Sequence, residues 1–351
     1  MPVGISLLTL VPGVVGGSET YARELCRALG RVGELDYRVF VPTIAADAAD
    51  GLPSTAVPEY RAGRTMPGRI AAMSLAALRP RPLRRHFEGL DAIHFPLSVM
   101  LPPVGRPPAA TTVHDVQHEA YPQFFSRPEL AYRKLVYGWT VRRSRIVITV
   151  SEFARRTLIE RLRLDPERVR AIHSGIDHAR FRPGDAEREP FLLYPANRWP
   201  HKNHQRLFEA FAIVRRERPE LRLVLTGSGH EGKPTPPGVE LRGWVSFDEL
   251  AELYRRAAAL VFPSLYEGFG QPPLEAMACG CPVAVSRVAS LPEICGDAAE
   301  YFDPDSPDDI AAATLRALRG ERVEQGLARA VLFTWDETAL RHEDVYRELS
   351  A

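Results

Sequence analysis

Two glutamates, Glu267 and Glu275, stand eight positions apart in Ser264-Leu-Tyr-Glu-Gly-Phe-Gly-Gln-Pro-Pro-Leu-Glu275, on either side of a glycine-rich turn. The apolar run Ala258-Ala-Leu-Val-Phe262 before them reads as a buried strand. Gln271 to Cys279 reads as a short helix with Pro272 in its first turn, where a missing N–H costs nothing. One carboxylate therefore belongs to a strand-to-helix turn, and the other sits one turn inside the helix. Between them, the turn offers the backbone N–H groups of Gly268, Phe269 and Gly270 at the positive end of a helix dipole. Carboxylates accept hydrogen bonds from hydroxyls and a helix N-terminus attracts phosphate, so the pattern suits a ligand that carries both.

A second constellation is Asn197-Arg198-Trp-Pro-His201-Lys202-Asn203, between an apolar strand and a helix. Several cationic groups at a strand end are what a diphosphate requires; the ordinary reading is a solvated charged loop. Composition favours the first reading at Lys202. Of the 45 basic residues 42 are arginine, so the few lysines that persist (Lys134, Lys202, Lys233) stand against a strong compositional drift.

Gly16-Gly17-Ser18 precedes an amphipathic helix, with Ser18 expected as its N-cap. Its two glycines allow backbone to approach a ligand closely, or they form a simple turn. Gly227-Ser-Gly229-His-Glu-Gly232 follows a strand and matches GxGxxG, but Gly232 leads into Lys-Pro-Thr-Pro-Pro, which cannot open the helix that a dinucleotide fingerprint needs. A loop passing close to a nucleotide is the better reading, and a dehydrogenase the disfavoured one. His114-Asp-Val-Gln-His118 comes near the zinc motif HExxH, yet a strand precedes His114 and Tyr121-Pro122 closes the loop, so the two histidines do not share a helix face. His114 at a strand end is a candidate for polar contact with substrate. Asp303-Pro-Asp305 matches DxD but reads as a cap for the helix from Pro307 onward. No metal site is expected.

A chain of 351 residues suggests two domains, and a net charge of +1 argues against a general nucleic-acid binder. The cysteines, at 26, 279, 281 and 295, have no metal spacing and read as small buried residues in a reducing compartment. The apolar stretch Val3 to Val15 lacks a basic flank and a small-residue cleavage site, and reads as a first strand and loop rather than a secretory signal. No run approaches the length of a membrane span. A cytoplasmic protein is the expectation. Residues 61–85 carry seven arginines and no acidic residue, with Glu88 lying just beyond, beside the apolar Ile70–Leu78. A solvated face is the favoured reading there, and peripheral contact with the inner face of an anionic membrane the alternative.

These groups need elements to position them. Short apolar runs at Val3–Leu10, Tyr37–Val41, Ala92–Phe95, Ala110–Val113, Ile146–Val150 and Val169–Ile172 predict strands, with helices at Glu19–Leu29, Pro128–Arg142 and Glu152–Leu162. After the polar segment Arg180–Pro190 the alternation restarts, with strands at Phe191–Tyr194, Leu221–Leu225, Val239–Gly243, Leu260–Phe262 and Pro282–Val285 and helices at Asn203–Arg216 and Phe247–Arg256. Repeated β-α alternation implies an α/β fold of parallel sheets, one per domain, with ligands at strand C-termini in a cleft between the domains.

Together these residues resemble the retaining glycosyltransferases of family GT4, over essentially the whole chain. The match is most specific in Leu260 to Val283, which resembles the family's E-x7-E signature. Gly16-Gly17 before Glu19-Thr-Tyr21, His114-Asp115, Val150-Ser-Glu-Phe153, Gly175-Ile-Asp177, Gly227-Ser-Gly229, Pro292 to Ala298 and Phe333-Thr-Trp335 add to it. The resemblance implies a GT-B fold of two facing Rossmann-like domains. Residues 1–179 would bind acceptor, 180–190 would link, 191–335 would bind a nucleotide-sugar donor, and a final helix over 336–351 would cross back to the first domain. It also implies roles. Glu275 binds ribose hydroxyls and Glu267 the donor sugar, while the N–H groups of Phe269 and Gly270 contact sugar or phosphate. Lys202 neutralises the diphosphate with help from Gly16-Gly17, and His114 touches the sugar near the reacting carbon. The family's donor-loop arginine aligns nearer Asn197, so Arg198 is displaced by one residue and Lys202 is the firmer assignment.

The expected reaction moves a hexose from a nucleoside-diphosphate sugar, GDP-mannose first and UDP-hexoses next, to a glycan, lipid-linked or small-molecule hydroxyl in polysaccharide biosynthesis, without a cofactor or metal. A nucleotide-sugar epimerase or hydrolase of the same fold, and a non-catalytic nucleotide-sugar-binding scaffold, are the alternatives.

Overall fold

A computed structural model describes residues 1–14 and 16–351, so Val15, at the end of the apolar N-terminal stretch, lies outside the described residues. They form two compact units, Met1–Gly175 with Trp335–Ala351, and Ile176–Thr334.

In the first unit β1 (Pro2–Ser6), β2 (Asp36–Val41), β3 (Ser54–Ala56), β4 (Ala92–Phe95), β5 (Ala109–Val113), β6 (Ile146–Thr149) and β7 (Val169–Ala171) form one sheet in the order β3-β2-β1-β4-β5-β6-β7. Every pairing is parallel. The central strands β4, β5 and β6 are buried at every residue, which is why they read as near-continuous apolar runs rather than alternating ones.

The second unit repeats the plan. Strands β8 (Glu189–Pro195), β9 (Arg222–Thr226), β10 (Val239–Gly243), β11 (Ala257–Phe262), β12 (Val283–Ser286) and β13 (Glu300–Phe302) pair in the order β10-β9-β8-β11-β12-β13, again all parallel. The strand order reverses between β1 and β4 in one sheet and between β8 and β11 in the other. At such a reversal, neighbouring crossovers leave to opposite faces and open a crevice beyond the strand C-termini.

The C-terminal helix, Trp335–Ser350, belongs to the first unit although the chain reaches it through the second. Buried Glu343 holds it there by accepting the N–H groups of Glu34 and Leu35 at 2.6 and 3.1 Å and the hydroxyl of Tyr37. Thr338 Oγ1 adds a hydrogen bond to the carbonyl of His173, 2.8 Å away.

Two helices start and stop where the sequence places them, Glu152–Leu162 and Phe247–Arg256, because Ser151 and Ser246 cap them by accepting the N–H of Ala154 and Glu249. Elsewhere the boundaries shift. The first strand ends at Ser6 instead of Leu10, since the chain turns at once with Leu10 N–H bonding Leu7 O. Ser18 is not an N-cap: Gly16 occupies that position with φ 56° and ψ −134°, a conformation open to glycine, and the helix Gly17–Val32 begins two residues earlier than expected. Asp303 does not cap the helix Pro307–Ala317. Ser306 does, while Asp303 Oδ1 accepts the N–H of Asp305 in its own turn. Residues 180–190 lie within the second unit, where Arg180 pairs with Asp248 at 2.8 Å. The four cysteines are unpaired and buried.

Candidate active site

The loop after β8 and the loop after β11 flank the point where the second sheet reverses. Lys202 closes the first of them, and its Nζ lies 2.6 Å from Glu267 Oε1 on the second. The pair is mostly covered, with 13% and 14% of the two side chains exposed, and the ammonium also sits 5.2 Å from the centre of the Phe262 ring. The backbone around it is fixed from several sides. Tyr194 donates its hydroxyl to the Lys202 carbonyl at 2.7 Å, and Leu265 N–H bonds the His201 carbonyl at 2.8 Å. Asn203 turns the chain into the next helix in the left-handed region, φ 57° and ψ 36°. Its buried amide donates to the carbonyls of Pro263 and Pro304 at 3.1 and 2.8 Å, tying the loops after β8, β11 and β13 together.

Gly270, with φ 122°, is the residue before the helix Gln271–Ala278, and Pro272 and Pro273 open that helix. Ser290 Oγ lies 3.0 Å from Glu267 O and 2.5 Å from Phe269 O, directing its proton between the two carbonyls and shaping the Glu267–Gly270 turn. Phe269 and Gly270 are buried and Gly268 is half-buried. Glu275, one turn along, is 5% exposed and accepts the hydroxyl of buried Tyr254 on Oε2 at 3.1 Å. Burial pushes its carboxyl up to about 8, against the opposing pull of hydrogen bonds from Tyr254 and Gln271 and the charge of Arg180. A carboxyl held this way is mostly protonated at neutral pH and becomes a strong acceptor once a ligand's hydroxyls reward its ionisation.

Gly227 and Gly229 follow β9 with φ of 105° and 85°. A Cβ at Gly227 would stand 2.8 Å from the Ala196 carbonyl carbon and 2.9 Å from Asn197 N, and one at Gly229 would stand 3.3 Å from Arg198 Cβ. Both glycines therefore let this loop lie against the loop after β8. Asn197 seals the contact by accepting Ser228 N–H and Oγ–H at 2.8 and 3.0 Å. Arg198 is half-buried, and its Nη1 is buried with no hydrogen-bond partner among the described residues. Beside it His204 is pushed down to about 3 by burial first, then by His230, Arg198 and Lys202, and so stays neutral. No helix follows Gly232 until Phe247, as the GxGxxG reading without a dinucleotide requires.

In the first unit Gly16 and Gly17 lie exposed at the start of the helix Gly17–Val32, and among the described residues no atom beyond its neighbours in the chain and the helix's own backbone stands within 4 Å of a Cβ placed at Gly17. His114 directly follows β5. Its Nε2 donates to the carbonyl of Pro96 at 2.9 Å, and the Tyr21 ring packs edge-on against it with centroids 4.8 Å apart. Burial lowers its pKa. A carbonyl can only accept, so neutral His114 carries its proton on Nε2 and leaves Nδ1 as an acceptor. His118 belongs to the separate short helix Gln117–Ala120, so the two histidines do not form a zinc pair. Among the described residues no group of three or more His, Cys, Asp or Glu side chains is arranged to hold a metal.

The second unit thus brings Lys202 and Glu267 into contact and seats Asn197, Arg198, Gly227 and Gly229 on adjoining loops. Glu275 stands apart from the ion pair, on the buried face of its helix. Sequence reasoning did not single out Tyr194, Asn203, Tyr254 and Ser290. Only Asn203 carried a local signal, an asparagine at a helix entrance where a left-handed residue suits it.

Two parallel sheets of this order, with side chains suited to phosphate and hydroxyls beyond their strand ends, define an α/β enzyme of the GT-B class. The profile of the family described as Glycosyltransferase Family 4 matches residues 15–180, and that described as Glycosyl transferases group 1 matches residues 189–320. O-antigen chain mannosyltransferase B of Escherichia coli is 30% identical over 269 residues, covering 69% of this chain and 70% of the relative. O-antigen chain mannosyltransferase RfbU of Salmonella typhimurium is 31% identical over 202 residues, covering 55% of this chain and 56% of the relative. The sucrose-phosphate synthase structure from Thermosynechococcus elongatus superposes with a TM-score of 0.75 at 19% identity, covering 99% of both chains. The chain belongs to glycosyltransferase family 4. It is a glycosyltransferase.

Proposed function

We propose that the enzyme transfers mannose from GDP-mannose to a glycan hydroxyl with retention at the anomeric carbon. The observation that carries the reading is the Lys202–Glu267 contact at the reversal of the second sheet, where one loop supplies a cation and the other a carboxylate. Two curated relatives named as O-antigen chain mannosyltransferases support the choice of sugar and acceptor class. Lys202 faces the leaving diphosphate, helped by the unpaired Nη1 of Arg198 and by turn N–H groups. Glu267 takes sugar hydroxyls and Glu275 the ribose diol. In the first unit, Gly16-Gly17 admits phosphate close to backbone, and His114 offers Nδ1 to the sugar. As the bond from C1 to the phosphate oxygen breaks, the acceptor oxygen bonds C1 on the same face. Its proton passes to the departing phosphate oxygen, so no protein base and no metal are required.

A thermal-shift screen of nucleoside diphosphates tests the donor. Stabilisation by GDP over UDP is expected, whereas UDP alone would move the assignment to UDP-hexoses. Proton NMR of the first-formed product tests the stereochemistry, since a β-linked product from the α-linked donor overturns retention. A strict Mn²⁺ requirement would count against the metal-free scheme. Free or epimerised sugar without acceptor would point to the hydrolase or epimerase, and donor binding without turnover to a scaffold.

We also propose that the acceptor is lipid-linked and met at an anionic membrane surface. Among the described residues no helix is long and apolar enough to cross a membrane. The helices Met66–Leu78 and Arg127–Arg143 touch where Tyr132 Oη lies 3.3 Å from Met73 Sδ. Met73 and Ala76 face the core while Leu75 and Leu78 are exposed, as are Leu135 and Trp139 on the neighbouring helix. Lys134, Arg142 and Arg143 line one shallow depression with Leu135 and Trp139. Exposed Leu75 and Leu78 among the arginines of 61–85, together with the cation-lined apolar depression on the helix Arg127–Arg143, favour the membrane reading over a purely solvated face. Co-sedimentation with phosphatidylglycerol vesicles, abolished by Leu78→Glu with Trp139→Glu and absent with phosphatidylcholine, is the expected result. Equal recovery in the supernatant with both lipids would overturn it.

A further inference from the structure

Beneath the C-terminal helix five side chains form one continuous hydrogen-bonded chain, and a single carbonyl sets its direction. His342 Nδ1 lies 2.7 Å from the carbonyl of Thr338, which can only accept, so Nδ1 carries the proton and Nε2 is the acceptor of the neutral ring. Tyr21 then donates its hydroxyl to His342 Nε2 at 2.8 Å. With its own proton spent, Tyr21 accepts from Thr112 Oγ1 at 3.1 Å. Thr112 in turn accepts from His94 Nε2 at 2.8 Å, and His94 Nδ1 accepts the hydroxyl of Tyr346 at 2.8 Å. All five residues are buried. Burial holds both histidines neutral, His342 at about 4 and His94 well below its ordinary value.

This chain converges on Tyr21, whose ring meets the His114 ring at 89° and is backed by Trp335 at 5.9 Å. Thr112 lies on β5, two residues before His114. His114 is therefore clamped by Pro96 O at Nε2 and by the Tyr21 ring at its side. Of the residues that aim Tyr21, His342 and Trp335 come from the last helix of the chain and Thr112 from β5.

We infer that Tyr21 is a positioning residue for His114 and that His342 of the C-terminal helix fixes Tyr21 in place. The inference rests on the reading that His114 acts on the donor sugar, and a readout at the ring itself separates the two. In full-length protein labelled with ¹⁵N-histidine, long-range proton–nitrogen spectra report which ring nitrogen of His114 is protonated, with His114→Gln supplying the assignment. The native protein is expected to show Nε2–H and bare Nδ1. Tyr21→Leu removes the ring wall, and a mixture of tautomers is expected together with a kcat on the order of tenfold lower and a donor KM changed less than about twofold. His342→Ala should fall between that variant and the native protein. His342→Gln should restore the native pattern, because its amide oxygen can accept the Tyr21 hydroxyl. If Tyr21→Leu does not fold, Tyr21→Phe keeps the packing while releasing the ring from His342, and a several-fold loss of kcat with a broadened His114 signal is expected. A native His114 pattern with native kcat in the folded Tyr21 variants overturns the inference. A shifted tautomer with unchanged kcat sustains the positioning and removes His114 from the reaction instead.

Discussion

Lys202 and Glu267 form a mostly buried ion pair, Nζ to Oε1 2.6 Å, that joins the loops on either side of the strand-order reversal in the second sheet. Each charge satisfies the other before any ligand arrives, so neither is left bare in a covered position. If the donor diphosphate meets Lys202, as proposed, it brings new negative charge to an ammonium already fixed in direction. Its gain is therefore concentrated where charge grows on the leaving group, in the transition state. Lys202→Ala is expected to lower kcat by about 10²–10³-fold. It should also destabilise the protein by ~1–3 kcal/mol, less than a fully buried broken pair, by stranding the Glu267 carboxylate. Lys202→Met with Glu267→Gln should recover most of that stability and none of the turnover, as read by urea unfolding alongside kcat. Near-native kcat in Lys202→Ala would remove the residue from the chemistry.

If Glu275 holds the donor ribose, donor binding should be pH-dependent. Its carboxyl is held at about 8 by burial, and ribose hydroxyls donating to it favour the ionised form. Binding must then release a proton below pH 8, and donor affinity should rise with pH by up to ~10-fold per unit before levelling off above it. The same shift acts on stability with the opposite slope. A folded-state value above the unfolded one gives a contribution that is complete in acid and is lost as pH rises through about 8. Calorimetric titration of GDP in buffers of different ionisation heat should detect close to one proton released at pH 7. Glu275→Gln should flatten the affinity profile. A pH-independent affinity in the native enzyme would show that Glu275 does not hold the ribose.

Two glycines separate a ligand requirement from a folding requirement. Gly17 has open space where a Cβ would stand, so Gly17→Ala should leave stability unchanged or raise it by ~0.5–1 kcal/mol. If phosphate approaches that backbone, the added methyl should still cut kcat/KM on the order of tenfold. Gly227 has φ 105°, and its Cβ would press against Ala196 and Asn197 backbone. Gly227→Ala should therefore cost at least ~1–3 kcal/mol and lower the melting temperature, whatever it does to turnover. Unchanged kcat/KM in Gly17→Ala would take the glycine loop out of the donor site.

The strands that cross the middle of each sheet were legible because burial on both faces leaves mostly apolar and β-branched residues. Ala92–Phe95, in the middle of the first sheet, was read with the boundaries the structure has, and so was Val239–Gly243, although it lies at the edge of the second sheet and is only half-buried to exposed. Two edge strands were not, although the edge strand Val169–Ala171 was read one residue too long. Ser54–Ala56 is exposed throughout and Glu300–Phe302 is three residues long, and neither carries a pattern that a sequence can display. The charged residues of the second unit were legible for a similar reason, since glutamates and a rare lysine at strand ends stand out from apolar surroundings. The residues that hold them were not. Tyr254 reaches Glu275 from 21 positions away, and Ser290 reaches Glu267 from 23, so their roles exist only once the chain has folded. The chain from Tyr346 to Tyr21 spans more still, with His342 and Tyr21 321 positions apart.

Asn203 shows how strongly such a tie governs the cation beside it. The residue pairs a left-handed backbone with an amide that donates to two buried carbonyls, and Lys202 immediately precedes it. Its two functions can be separated by substitution. Asn203→Gly keeps the backbone at no steric cost and loses both hydrogen bonds, leaving two carbonyls unpaired for about 1–3 kcal/mol. Asn203→Ala loses the same bonds and adds ~1–2 kcal/mol for forcing a Cβ into the left-handed region. Asn203→Asp keeps the shape but turns an acceptor toward two acceptors, and should be the least stable of the three. The expected order from urea unfolding is native, Gly, Ala, Asp. Turnover should follow the same order, because each step loosens the turn that aims Lys202 at Glu267. If Ala proved as stable as Gly, backbone strain would not be what asparagine relieves here. If Asp matched the native protein, the amide would not be the donor that ties the loops after β8, β11 and β13.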